Sequence, residues 1–265
     1  MDEVLVKYLA GLIDSDGSIS FNFGVLNAEK KSYRISLYIA ISGSSAVDFH
    51  GFIGRLPEYT GFGSVDVTQG YNKSQNSSVR WTVRKKADLE MLVPRIVKHM
   101  CVKGRHLQRM FDKWKERRGQ PLYIDECDAL REFSKTSRLD SGPLKSKNFP
   151  SWGWLAGYLD GNGSIRAGRR KDGFYKGQQK YSHQASIHAS CHKNDAAVLD
   201  FIHKAHGGYV RPHSSNANCM VWEISLGKRN RSFALDFLPR LVQHSRLKKH
   251  KIEQLIAFHQ ATSND

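Results

Sequence analysis

Cysteine is scarce in this 265-residue chain, with four in all. Cys101, Cys127, Cys191 and Cys219 stand far apart and form no C-x-x-C pair. That spacing argues against a disulfide framework or a structural zinc site and fits a reducing compartment. His188 and His192 flank Cys191, but near neighbours on a strand point to opposite faces, so no metal is expected there. Long apolar runs are missing too, which excludes a membrane-spanning helix. The first residues, MDEVLVKYLAGLIDSDGS, meet acid early and carry no basic leader, so no targeting segment is expected. Acidic residues are the other shortage: 25 Asp plus Glu against 41 Lys plus Arg, a net charge of +16. The excess is spread along the chain rather than gathered on one amphipathic helix. This pattern favours nucleic acid over an anionic membrane as partner. With 40% hydrophobic residues the chain can still bury an ordinary core.

What is present is a repeat. YLAGLIDSDGSI (Tyr8–Ile19) returns as WLAGYLDGNGSI (Trp154–Ile165). An alternating stretch follows each copy, Tyr33–Ile41 and Tyr181–Ser190. Then come a glycine turn (Gly61-Phe-Gly against Gly207-Gly) and a tryptophan-centred strand (Val79-Arg-Trp-Thr-Val against Val221-Trp-Glu-Ile). A helical pattern ends each half with Pro-Arg-x-Val-x-His, starting at Pro94 and Pro239. Residues 1–118 and 152–265 therefore read as two copies of one mixed αβ unit, able to pack about a pseudo-two-fold axis. Residues 119–151, rich in Gly, Pro, Ser and Lys around a short helix near Asp125–Phe133, read as a linker.

The repeated segment predicts a helix from Val4 to Asp14, with Leu5, Leu9, Leu12 and Ile13 on its apolar stripe. Gly17 and Gly163 are expected in the left-handed conformation that ends helices. Asp16 and Asn162 then stand at helix C-termini, where the macrodipole disfavours a carboxylate. A compensating cation is expected, and a divalent metal with oxygen ligands suits it. Such a centre is what phosphodiester hydrolysis needs.

LAGLIDSDG and LAGYLDGNG resemble the signature of the LAGLIDADG homing endonucleases of the single-chain, two-motif type, and the supporting repeat covers nearly the whole chain. The resemblance implies an α+β fold of two pseudo-symmetric αββαββα units. Each unit's antiparallel sheet would form half of a DNA-binding saddle, with the motif helices at the central interface. It implies a monomer acting as a pseudo-dimer, of prokaryotic or organellar origin. Such a protein cuts a long asymmetric duplex with Mg²⁺, for which Ca²⁺ or Mn²⁺ substitutes. Carried onto this sequence, Asp16 and Asn162 are the metal-binding positions, with the backbone carbonyls of Ser15 and Gly161. Lys103 and Lys248 are the lysines near the scissile phosphates. Asn162 departs from the family pattern: it keeps an acceptor oxygen but has no charge. The alternatives are a nickase, an inactive DNA binder, or an intron RNA maturase on the same fold.

Alternation marks the side chains expected to meet DNA. They are Ser18, Ser20 and Asn22, then Arg34, Ser36 and Tyr38, then Arg80, Thr82 and Arg84. In the second half they are Ser164, Arg166, Ser182, Gln184, Ser186, His188, Arg211 and His213. Side chains of these types read base edges in the major groove. The lysines and arginines elsewhere are expected at phosphates.

Overall fold

The first motif helix, α1 (Glu3–Asp16), starts where Asp2 accepts a hydrogen bond from the Leu5 N–H at 2.7 Å. Its repeat, α7 (Trp152–Asn162), is capped in the same way by Ser151. Both helices run to the second acid or amide of the motif, slightly beyond the expected end. The computed structural model describes residues 1–44, 47–68, 78–140, 142, 151–175, 178–226 and 230–261. Within that set, the side chains of residues 44, 47–50, 168–172, 175, 178–184 and 261 are left out.

The chain divides into two compact units, Met1–Asn148 and Phe149–Asp265. In the first, α1 is followed by β1 (Ser18–Asn27), β2 (Ser32–Ser44), α2 (Val47–Gly54), α3 (Leu56–Thr60), β3 (Ser64–Thr68) and β4 (Ser78–Val83). Then come α4 (Lys86–Ile96), α5 (Gly104–Arg117) and α6 (Ile124–Leu139). The strands form an antiparallel sheet of order β1-β2-β4-β3. The second unit repeats this with α7, β5 (Gly163–Tyr175), β6 (Gln178–His192), α8 (Ala197–His206), β7 (Tyr209–His213), β8 (Asn216–Ser225), α9 (Arg231–Val242) and α10 (Lys249–Ala261). Its sheet has the equivalent order β5-β6-β8-β7. Each unit is thus an αββαββα unit, as the family resemblance implied, and no described helix is long and apolar enough to cross a membrane.

Alternation decides which sheet face meets the helices. Ile35, Leu37, Ile39, Val79, Trp81 and Val83 are buried, and α1, α2 and α5 pack on that sheet. In the second unit Ala185, Ile187, Ala189, Trp222 and Ile224 are buried under α7 and α8. The tryptophans explain the repeated glycine turns. Trp81 Nε1 donates to the Phe62 carbonyl at 3.0 Å and Trp222 Nε1 to the Gly207 carbonyl at 2.9 Å. Gly63 and Gly208 sit against those indoles with φ of 80° each. A Cβ there would stand 2.6 Å from Trp81 Nε1, or 2.9 Å from Trp222 Nε1.

Residues 119–139, read from composition as the start of a linker, pack on the first unit. Leu122 is buried and exchanges backbone hydrogen bonds with Tyr33 at 2.8 and 2.9 Å. From there α6 extends six residues beyond Phe133 and lies against α5, β1 and β2. Its composition is polar because it buries few side chains, among them Cys127, Leu130 and Ser137. Residues 143–150 lie outside the described set.

One buried contact ties α6 down and has a measurable consequence. His106 Nδ1 of α5 lies 3.1 Å from Ser137 Oγ, and both residues are buried. Burial pushes the imidazole down to about 4 from its ordinary 6.5. Between those values the unfolded chain takes up a proton that the folded chain refuses. The stabilising effect is complete above pH 6.5 and is lost as pH falls towards 4. Between pH 7.5 and pH 5 the wild type should lose about 2 kcal/mol more than His106→Gln. Urea unfolding at the two pH values measures this; equal losses would mean that the imidazole is protonated as easily in the folded state.

Candidate functional site

The two motif carboxylates of α1 have different fates. Asp14 is 3% exposed. It accepts hydrogen bonds from the backbone N–H groups of Cys101 (2.5 Å), Val102 (3.1 Å) and Lys103 (2.7 Å). Those donors lead into α5, so Asp14 fills the anion site at that helix's N-terminus. Asp160, 2% exposed, repeats the arrangement. It accepts from Ser245 Oγ (2.7 Å) and the N–H groups of Arg246 (2.7 Å), Leu247 (2.9 Å) and Lys248 (3.1 Å), at the start of α10.

The lysines answer in the opposite direction. Lys103 Nζ donates to the carbonyls of Ile13 (2.9 Å), Ser15 (3.2 Å) and Gly17 (2.8 Å). Lys248 Nζ donates to those of Leu159 (2.7 Å), Asp160 (2.7 Å), Gly161 (3.1 Å) and Gly163 (2.6 Å). Each motif helix thus has an ammonium at its negative end, and each following helix has a carboxylate at its positive end. The positive charge expected at the motif terminus is therefore already present, as lysine.

Gly17 and Gly163 correct an expectation. They are extended, with φ of −70° and −87°, rather than left-handed. Glycine fits there because of close approach. A Cβ on Gly17 would lie 2.6 Å from the Ile13 carbonyl oxygen, and one on Gly163 2.3 Å from that of Leu159.

Asp16 and Asn162 are left at the surface of this lock, exposed and half-buried respectively. The oxygens at each motif end that could hold a cation are those of the Asp16 carboxylate and the Ser15 carbonyl, and of the Asn162 amide and the Gly161 carbonyl. A carbonyl bound once by lysine keeps a second lone pair. The set fits a hard divalent ion that retains water and draws further oxygens from a phosphate. Among the described residues no three His, Cys, Asp or Glu gather as a site of their own. Asn162 makes the second set neutral.

The sheet faces opposite the helices carry the residues picked out by alternation. Ser18, Ser20 and Asn22 pair across β1–β2 with Ala40, Tyr38 and Ser36. Arg34, Ser18, Asn22, Arg80 and Arg84 are exposed, and Ser20, Ser36, Tyr38 and Thr82 half-buried. The Arg80 guanidinium lies 5.5 Å from the Tyr38 ring. At one edge Arg34, Arg84, Lys86 and Arg118 line a hollow of about 620 Å³ beside Trp114. In the second unit Ser164 pairs with His188 and Arg166 with Ser186. The pairing of β7 with β8 shifts register between Pro212, opposite Met220, and His213, opposite Asn216. Even so, Arg211 and His213 share a cavity of about 210 Å³ with Asn162, Ser164, Arg166 and His188. Ser182 and Gln184 lie on β6, but their side chains fall outside the described ones.

Sequence reasoning missed three groups on these faces. Asp66 of β3 stands opposite Arg80, and Tyr209 of β7 stands opposite Glu223 of β8. Both acids sit next to, or across from, strands noted for their tryptophans, and the alternation that buries Trp222 places Glu223 on the outer face. Glu223 is held ionised: burial works against its charge, but hydrogen bonds from Tyr209 and Arg211 outweigh that and keep its carboxyl below the usual value. His188 is pushed below its usual value by burial, with Glu223 opposing, and so is neutral at neutral pH.

No protein-family model matches the sequence, and no curated protein does. Solved structures do match the fold. I-SmaMI, bound to uncleaved DNA in the presence of calcium ions, superposes with a TM-score of 0.70 at 15% identity, over 98% of this chain and 92% of that one. The LAGLIDADG meganuclease I-AabMI, bound to uncleaved DNA, gives 0.70 at 14% identity over 98% and 91%. The LAGLIDADG homing endonuclease I-GzeII, in complex with its DNA target, gives 0.68 at 15% over 98% and 92%. The helix ends, the locking lysines and the two sheets thus belong to a chain with the LAGLIDADG homing endonuclease fold.

Proposed function

We propose that this chain is a site-specific endonuclease acting as a monomer on double-stranded DNA with a divalent cation, Mg²⁺ by preference. The observation that carries the reading is the duplicated lock. Twice, a buried aspartate and a lysine fix a helix end that presents one further oxygen side chain beside a polar sheet face. The fold shared with DNA-bound endonucleases and the net charge of +16 support it. In this reading the sheet faces hold the duplex, and the cationic rim around Arg34 and Arg84 takes phosphates.

A bound divalent ion would polarise the phosphate and favour hydroxide over water. Asp16 would supply one charged oxygen for it and hold the attacking water by hydrogen bonding. Asn162 can orient water but cannot take its proton. The donors of Lys103 and Lys248 are engaged by helix carbonyls, so these lysines act as fixed positive charges near the reacting phosphates rather than as mobile acids. Water adds to phosphorus, the bond to one ester oxygen breaks, and that oxygen leaves with a proton.

The two strands should therefore be cut at unequal rates. A target is first selected from a randomised duplex library and placed in a supercoiled plasmid. With Mg²⁺, open circles are expected to accumulate ahead of linear product. Asn162→Asp is expected to accelerate the slower cut roughly tenfold or more. If neither form cuts and the protein instead binds an intron RNA tightly, the endonuclease reading is wrong.

A further inference from the structure

The outer face of the second sheet holds a carboxylate where a DNA-binding surface would be expected to avoid one. Glu223 lies in β8 between His188 of β6 and Tyr209 of β7. Arg211 Nη2 donates to Glu223 Oε2 at 3.0 Å, and Tyr209 is paired across the strands with Glu223. His188 Nε2 stands 3.4 Å from Glu223 Oε1 and 2.7 Å from Ser186 Oγ. The Arg211 side chain remains 41% exposed, whereas Glu223 is 16% exposed.

This geometry changes what Arg211 can recognise. An arginine without a partner is drawn to any phosphate. Paired with Glu223, Arg211 has its charge balanced locally, and an approaching phosphate meets the carboxylate as well. What remains is a guanidinium with fixed orientation and spare N–H donors, since Nη1 uses one donor on the Pro212 carbonyl and Nη2 one on Glu223. A base edge that presents two acceptors side by side and carries no charge suits it better than a phosphate does. Guanine offers O6 and N7 in that arrangement.

We propose that Arg211, held in orientation by Glu223, reads a guanine in the part of the target bound by the second unit, with Glu223 as the positioning residue. The inference rests on the DNA reading above and goes further by assigning one base to one side chain.

The test compares the wild type with Arg211→Ala, Arg211→Lys and Glu223→Gln, first matching their melting temperatures. Each is measured for base preference at every position of the selected target, and for the slope of log affinity against log salt. For Arg211→Ala, guanine preference is expected to fall about tenfold or more at one position, with the salt slope nearly unchanged. Arg211→Lys should keep affinity and lose most of that preference, since lysine has no fork. Glu223→Gln should weaken preference at the same position and at no other. The proposal is overturned if Arg211→Ala lowers the salt slope by about one and leaves all preferences intact, because Arg211 is then a phosphate contact. It is also overturned if Glu223→Gln acts at a different position, because Glu223 then reads a base itself. A wild type that binds no duplex would remove the endonuclease reading and this inference together.

Discussion

Asp14→Ala should destabilise the first unit by about 3–5 kcal/mol. The carboxylate answers three backbone N–H groups in a place that water scarcely reaches. Alanine leaves all three without an acceptor and removes the negative charge from the start of α5. Folding stabilities are commonly 5–15 kcal/mol, so the loss takes a large share. A melting temperature lower by roughly 10 °C is expected. Asp14→Asn keeps one good acceptor and should fall between the two. DNA affinity and cleavage should decline in step with the folded fraction. A loss below about 1 kcal/mol in urea titration would show that these N–H groups find other partners.

Asp16→Asn, two residues further on, should do the reverse. Asp16 is exposed, so stability should stay within about 0.5 kcal/mol of the wild type. Duplex affinity, measured in Ca²⁺, should also hold, because the sheet faces are untouched. Cleavage of the faster-cut strand should fall about tenfold or more, to near the rate of the slower one, because both helix ends then carry neutral amides. Single-turnover cleavage and filter binding on the same preparation separate the two effects. Undiminished cutting by this variant would remove Asp16 from the chemistry. Stability and activity would thus be controlled by two aspartates only two residues apart.

That separation was not legible in the motif. Asp14 and Asp16 look alike in sequence, and the difference lies in partners 87 to 89 residues away. The repeat itself was legible because it follows from packing: the same buried stripe, the same indole against the same glycine turn. Lys103 and Lys248 were singled out by the family resemblance, and their place as caps of the motif helices was not legible in the sequence. The conformation of Gly17 was misread because glycine after a helix usually signals a left-handed turn. Here it signals a strand that leaves too close to the preceding turn for a Cβ. The helix at Asp125–Phe133 was legible, but its segment was assigned to a linker because a helix with a narrow packed stripe has a polar composition. Glu223 was overlooked because the tryptophan beside it dominated the reading of that strand.

The cross-tie between each motif helix and a helix late in its unit, α5 or α10, also sets an order in time. During synthesis, the end of α1 emerges long before Cys101, Val102 and Lys103, and the end of α7 long before Arg246 to Lys248. Until then the buried aspartate has no donors and the helix carbonyls have no ammonium. The lock at the motif end of each half can be closed only once these later residues arrive, so an unfinished chain carries the motif helix without its lock.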